Sequence, residues 1–205
     1  MSYYLSSYRM GARTDLLLER VPIGRTVGLC ANALDNVEPD VRARLLVRER
    51  DSLEALGYRV VELDLRGRFA DRPGLLDDLA PLSLVWAIGG NSFVLNLAMR
   101  LSRLADALPG LLDDGSLVYG GYSAGAVVAG TSLRGIELLD RTDDFPAHYP
   151  SREVLWDGFG LVEGVLVPHY ESNHRESTTA GVVVARLRKE GIPFHALRDG
   201  EVLTN

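Results

Sequence analysis

The chain has 205 residues, 46% hydrophobic and 24% charged, a balance that suits one globular domain with a substantial core and excludes a disordered or fibrous chain. Its net charge of −6 and pI near 5.2, with arginines interspersed among Asp and Glu, argue against a polyanion surface and so against a nucleic-acid partner. A lone cysteine, Cys30, excludes an internal disulfide and a Cys-based metal cluster, and the absence of an apolar run of about 18 residues or a leader-like N-terminus predicts a cytoplasmic protein with no membrane partner.

Tyr3 to Tyr8 reads as a first strand and Thr14 to Arg20 as a short amphipathic helix. Arg25 to Ala31 is a near-continuous apolar run, the pattern of a strand covered on both faces, with Cys30 as a small core residue. Asp40 is positioned to N-cap a helix that carries Val41, Leu45, Leu46, Leu53 and Leu56 and stops at Gly57. Tyr58 to Leu65 is the next strand, Pro73 to Leu79 a helical turn, and Leu82 to Ile88 another apolar strand, which ends in Gly89-Gly90-Asn91-Ser92. The spacing then predicts a single helix over Phe93 to Leu108 and a strand over Ser116 to Tyr119. Strands alternating with helices predict one doubly wound α/β domain over residues 1–205, with a mostly parallel sheet. A dinucleotide site is disfavoured, because no G-x-G-x-x-G follows the first or second strand.

After the Tyr119 strand comes Gly120-Gly121-Tyr122-Ser123-Ala124-Gly125-Ala126, and then an Ala/Val run to Ala129. Gly121-x-Ser123-x-Gly125 between a strand and a helix has the form of a nucleophile elbow, in which small neighbours permit a strained turn and expose the serine hydroxyl. Such a pattern also occurs in ordinary turns. It gains weight here because the Gly89-Gly90 turn falls at the same end of a predicted parallel strand, the edge where open α/β sheets bind ligands.

Thr131 to Trp156 reads as an extended loop centred on Asp143-Asp144-Phe145-Pro146. Leu161 to Val167 is a strand that ends in Pro168-His169-Tyr170-Glu171, and Ser177 to Glu190 is a helix closed by Gly191. Phe194 to Leu197 and Glu201 to Leu203 are two short strands, predicted to form a tight hairpin through Arg198-Asp199-Gly200.

A serine hydroxyl needs a base to take its proton. Of the four histidines, His169 alone ends a strongly apolar strand at the sheet edge of the elbow, so it is the candidate base, with His148 next; His174 and His195 read as structural. The carboxylate that would orient the base stays open among Glu171, Asp199, Asp143 and Asp144. Backbone N–H groups for an oxyanion are expected from Ala124, just after the serine, and from the Gly89-Gly90-Asn91 turn.

Together, Ala87-Ile88-Gly89-Gly90-Asn91-Ser92-Phe93, Gly121-Tyr122-Ser123-Ala124-Gly125-Ala126 and Pro168-His169-Tyr170 with Arg175 beyond resemble peptidase E, the aspartyl dipeptidase family that includes cyanophycinase-like enzymes. The resemblance covers essentially the whole chain. It implies a three-layer α/β/α fold of the class I glutamine amidotransferase (flavodoxin-like) kind and a cofactor- and metal-independent serine peptidase that cleaves Asp-Xaa dipeptides. Ser123 corresponds to the nucleophile, His169 to the base, and Gly90 and Ala124 to the oxyanion donors; Asp199 occupies the place of the acid, usually a Glu, with Glu171 in reserve. Asn91, Asp144 and Arg175 correspond to substrate-binding positions, with Arg175 meeting the substrate's side-chain carboxylate. The segment from His169 to Arg175 is short for the family, and relatives usually continue through further C-terminal strands beyond the position of Asn205. Alternatives are another small amide, ester or cyanophycin-type substrate, or a non-catalytic binding module. The expected partner is a small peptide, with a monomer or a homodimer both open.

Overall fold

The computed structural model describes residues 1–70 and 72–205. In chain order its strands and helices are β1 (Tyr3–Ser6), α1 (Thr14–Arg20), β2 (Thr26–Cys30), α2 (Pro39–Ala55), β3 (Arg59–Glu62), α3 (Leu75–Leu79), β4 (Leu84–Ala87), α4 (Ser92–Leu101), α5 (Leu104–Asp113), β5 (Val118–Tyr122), α6 (Ala124–Val127), β6 (Val165–Val167), α7 (Ser177–Glu190), β7 (Phe194–Ala196) and β8 (Val202–Thr204). Six strands form one sheet in the order β3-β2-β4-β5-β1-β8, parallel except for the β1–β8 pair. The chain therefore has the mostly parallel α/β fold that its alternating pattern predicts.

The period of two along the central strands explains the layers. Leu84 and Trp86 of β4 point into one apolar cluster with Leu17 of α1 and Leu53 of α2, whereas Val85 and Ala87 join a second cluster with Leu79 of α3, Leu95 of α4 and Leu108 of α5. Both faces of the sheet are thereby covered, as the unbroken apolar runs require. A third cluster packs Val165 and Val167 of β6 against Val183 and Leu187 of α7 and against Phe93 and Val127. Among the described residues no helix is long and apolar enough to cross a membrane.

Five expectations are corrected. The helix expected over Phe93 to Leu108 is two helices, broken where Arg103 takes a left-handed conformation (φ 67°). Ser102 stands at the break, its hydroxyl donating to Met99 O and accepting from Leu104 N, a local alternative to helical bonding. The N-cap of α2 is Glu38 and not Asp40, because Pro39 supplies a preset φ at the first helical position and leaves Asp40 inside the first turn. The strand expected from Leu161 shrinks to β6, because Gly160 (φ 74°) and Gly164 (φ 88°) turn the chain out of extended geometry.

Most consequential is the expected hairpin around Arg198-Asp199-Gly200, which does not form. β7 pairs in parallel with β6 in a separate two-stranded sheet, while β8 pairs with β1 at the edge of the main sheet. The open edge of β1 takes up the backbone groups of β8, and the Asp199 turn becomes a crossing between two sheets. His169, expected at the edge of the main sheet, instead follows β6 of the small one.

Candidate active site

At the end of β5 the chain turns into α6 through Ser123, which has φ 50° and ψ −116°, a conformation that non-glycine residues rarely adopt. The flanking glycines explain how the turn fits. A Cβ on Gly125 would lie 2.1 Å from Ala87 O and one on Gly121 2.7 Å from the same oxygen, so both must lack a side chain for the elbow to lie against β4. Ser123 N donates to Ser6 O at 3.2 Å, and Ser123 O accepts from Ala126 N and Val127 N, which holds the turn from both sides.

Next to it is the Gly89-Gly90 turn between β4 and α4. Gly90 has φ 153°, and a Cβ there would lie 2.4 Å from Ala33 O. Asn91 N donates to that same carbonyl at 2.8 Å. The Asn91 side chain caps α4, accepting from Phe93 N (2.9 Å) and Val94 N (3.1 Å), and its amide nitrogen donates to Arg141 O (2.8 Å). Among the described residues neither Gly90 N–H nor Ala124 N–H has a backbone acceptor.

His169 arrives from the end of β6 with φ 62°, and its side chain is almost wholly buried. Its Nε2 lies 3.3 Å from Ser123 Oγ, and its Nδ1 lies 2.7 Å from Asp199 Oδ1. A carboxylate only accepts, so Nδ1 carries the proton and Nε2 turns its lone pair toward the serine. Burial lowers the His169 pKa below the ordinary histidine value, an effect that the hydrogen bond to Asp199 opposes and the neighbouring His174 reinforces. The imidazole is accordingly neutral at neutral pH.

Asp199 is fixed from two directions. Ser7 Oγ accepts from His169 N (2.7 Å) and donates to Asp199 Oδ1 (2.8 Å), and Asp199 N donates to Ser172 Oγ (2.7 Å). Glu171 lies elsewhere: exposed, with φ 45°, its carboxylate accepts from Arg198, which holds its pKa below the usual range. The carboxylate beside His169 is thus Asp199.

Ser123, His169 and Gly90 line a cleft of about 210 Å³ together with Tyr8, Arg48, Gly89, His174, Arg175 and Glu176, with Asp199 and Asn91 behind its lining. That is smaller than a drug-sized pocket and suits a ligand of a few residues at most. Arg175 is 86% exposed at its mouth and bonds Glu176 Oε1 at 3.2 Å. Asp144 does not line the cleft; it is exposed and accepts from Asn36 Nδ2 at 2.8 Å. His148 stacks edge-on against Tyr149 away from the cleft, and His195 reaches Glu163 O.

His174, which reads as structural in the sequence, is at the site: its ring stacks on His169 with centroids 3.7 Å apart and planes 14° from parallel. Glu176 and Ser7 carry no signal strong enough to single them out. Glu176 opens a helix like many exposed acids, and Ser7 matters only because β1 lies beside β5, an adjacency that no local pattern encodes. His169, His174 and Glu176 are also the group of described residues with donor atoms close enough, within 4.8 Å of one another, to hold a metal ion.

The comparisons with known proteins agree with this architecture. The chain is 28% identical over 156 residues to a probable alpha-aspartyl dipeptidase from Drosophila melanogaster, an alignment that takes in 74% of this chain but spans only 59% of that protein's length. All of the chain superposes on 97% of a crystal structure of a candidate peptidase E protein from Listeria monocytogenes EGD-e, with a TM-score of 0.75 at 21% identity. It also superposes on 82% of a peptidase from an acI-B1 actinobacterium, with a TM-score of 0.64 at 16% identity. The model of peptidase family S51 matches residues 41–205, which take in the elbow, His169 and Asp199, and the chain belongs to that family.

Proposed function

We propose that the chain is a serine peptidase that hydrolyses short peptides, Asp-Xaa dipeptides above all, through Ser123, His169 and Asp199. The observation that carries this reading is the unbroken relay from Ser123 Oγ through the His169 ring to Asp199, at 3.3 and 2.7 Å. Membership of family S51 and the dipeptidase description of the Drosophila relative support it.

In this mechanism Ser123 Oγ attacks the peptide carbonyl carbon while His169 Nε2 takes the hydroxyl proton. The oxyanion that forms accepts from the Ala124 and Gly90 N–H groups, which among the described residues have no backbone acceptor of their own. Asp199 stabilises the imidazolium, which returns the proton to the departing amine as the C–N bond breaks. A water, deprotonated by the same nitrogen, then hydrolyses the acyl-serine ester and regenerates the hydroxyl. The reaction needs neither cofactor nor metal.

The cleft bears both signs of charge, with Arg175 and Arg48 against Glu176, and so suits a small zwitterion with an additional carboxylate. Arg175 is the proposed partner of the substrate's aspartyl side chain, with the guanidinium released from Glu176 on binding. Ser123→Ala assayed on Asp-Leu is expected to lose at least ~10⁴-fold in kcat. Arg175→Ala is expected to raise KM for Asp-Leu well above its effect on Ala-Leu. Undiminished turnover by Ser123→Ala overturns the mechanism, and equal effects of Arg175→Ala on both peptides overturn the specificity.

A further inference from the structure

The mouth of the cleft has a chemistry that serine hydrolysis does not require. Two imidazoles and one carboxylate converge there from the single connection between β6 and α7: His169 just after β6, His174 within the loop, and Glu176 just before α7. Glu176 Oε2 lies 3.9 Å from His169 Nε2 and 4.0 Å from His174 Nδ1, while its other oxygen is engaged by Arg175. We propose that His169, His174 and Glu176 form a binding site for a divalent transition-metal ion, Zn²⁺ foremost, and that occupation of this site switches Ser123 off.

Three features of the geometry point this way. First, the donor set of two imidazole nitrogens and a carboxylate oxygen is the one that binds Zn²⁺ with an open fourth position. Tetrahedral bonds of about 2.1 Å place donors about 3.4 Å apart, so the two pairs that Glu176 makes, at 3.9 and 4.0 Å, each have to close by about half an ångström, and all three donors lie within 4.8 Å of one another. Side-chain rotation of Glu176 supplies that closure, since one of its oxygens already stands nearly equidistant from both rings.

Second, the outer contacts of a metal-binding histidine are in place. His169 donates Nδ1–H to Asp199 at 2.7 Å, which leaves Nε2 as a lone-pair donor of fixed direction, and Ser7 and Ser172 hold Asp199 in turn. A carboxylate behind the ring is what orients histidine ligands and makes them more basic. His174 Nδ1 likewise presents a lone pair, which at present accepts from Glu176 N over a long 3.3 Å bond. Third, the two rings stack at 3.7 Å, which holds both imidazoles at one end of the cleft; because the in-plane lone pairs of parallel rings run parallel, the half-buried His174 ring has to turn to meet the ion.

The consequence follows from what His169 Nε2 does in the proposed mechanism, and only this consequence rests on that mechanism. The lone pair that would bind the metal is the one facing Ser123 Oγ at 3.3 Å. A nitrogen bonded to Zn²⁺ cannot take the serine's proton, and the ion also occupies the cleft beside Arg175. Inhibition is therefore expected to be complete and reversible, competitive with substrate, and relieved by a chelator. A carboxylate-rich substrate and the ion would contend for the same cleft.

The test uses tag-free protein and reads binding apart from activity. Zn²⁺ is titrated into wild type, Ser123→Ala, His174→Ala and Glu176→Gln by calorimetry, and labelling of Ser123 by a fluorophosphonate is followed in wild type with and without the ion. Wild type and Ser123→Ala are expected to bind one equivalent in the micromolar range. His174→Ala and Glu176→Gln are expected to bind at least tenfold more weakly, and labelling is expected to fall with the wild-type binding midpoint and recover on addition of EDTA. Circular dichroism identifies a variant that fails to fold, in which case the isosteric Glu176→Gln decides. No binding below about 1 mM, or variants that bind like wild type, overturns the site; binding without loss of labelling overturns the switch. Should dipeptide turnover survive in Ser123→Ala, the peptidase mechanism falls while the calorimetric result stands.

Discussion

Replacing Asp199 by Asn is the most discriminating perturbation of the site, because it removes a charge while leaving shape intact. The His169 side chain is 3% exposed and Asp199 22% exposed, so the charge pair that the proposed mechanism forms in its transition state is largely shielded from water. At an effective dielectric of about 20 and a charge separation of about 4 Å, the imidazolium loses about 4 kcal/mol of stabilisation, or about 10³-fold in rate. A second loss adds to it. The Asn amide can donate its N–H to Nδ1, which favours the tautomer whose Nε2 already carries a proton and disables the base. The expected fall in kcat/KM is therefore 10³- to 10⁴-fold, with little change in folding, as the Ser7 and Ser172 contacts persist in part. Glu171→Gln is the control: its carboxylate serves an exposed pair with Arg198, so less than a twofold effect is expected. The assay is release of leucine from Asp-Leu, with thermal denaturation of each variant alongside. A tenfold or smaller loss in Asp199→Asn, or a tenfold or larger loss in Glu171→Gln, refutes the assignment of Asp199 as the orienting acid.

The frame that carries the site is open to the same kind of test. Gly125→Ala places a Cβ 2.1 Å from Ala87 O and 2.7 Å from its carbon, backbone atoms of a central strand that cannot yield, so a destabilisation of about 3 kcal/mol or more and a Tm lowered by about 6 °C or more are expected by calorimetry. Gly110→Ala, in α5 with open space around it, is expected to raise Tm slightly, and similar behaviour of the two variants contradicts the close-approach argument. Asp140 accepts from Ser92 N at 2.8 Å, but burial, the larger effect, pushes its pKa up from 3.8 to about 6. The folded chain then holds a proton between about pH 4 and 6 that the unfolded chain has lost, so stability falls as pH rises through that window, by up to about 3 kcal/mol. Asp140→Asn is expected to gain in Tm over wild type at pH 7 and to lose that gain at pH 4; an equal shift at both refutes it.

What the sequence discloses of this molecule depends on how local the physical cause is. α7 occupies the residues expected, Ser177 to Glu190, because its apolar face repeats at helical spacing and Gly191 stops it in a left-handed cap, both of which lie within the segment. The break at Arg103 hides because Ser102 and Arg103 read as ordinary helix residues, and the packing of α4 and α5 onto one apolar cluster joins the Ser102 hydrogen bonds in selecting the turn. The Asp-Gly pair after Arg198 reads as a hairpin for the same reason: the partner that draws β8 away is the edge of β1, about 200 residues earlier in the chain.

The site divides along the same line. Ser123 and His169 are visible because each is written into a local pattern, the glycine-flanked turn and the end of an apolar run. The acid is not, and the choice between Glu171 and Asp199 turns on the sheet crossing that the hairpin reading misses. That crossing also explains how the shorter side chain reaches. In a hairpin, Asp199 would sit at an exposed tip; strung between β7 and β8, its backbone is held by Ser172 and its carboxylate by Ser7, so the chain itself supplies the methylene by which Asp falls short of the Glu expected from the resemblance. An Asp199→Glu exchange would then gain nothing and would push the carboxylate into Ser7 and the ring, which makes the residue at 199 and the route of the strands around it one feature and not two.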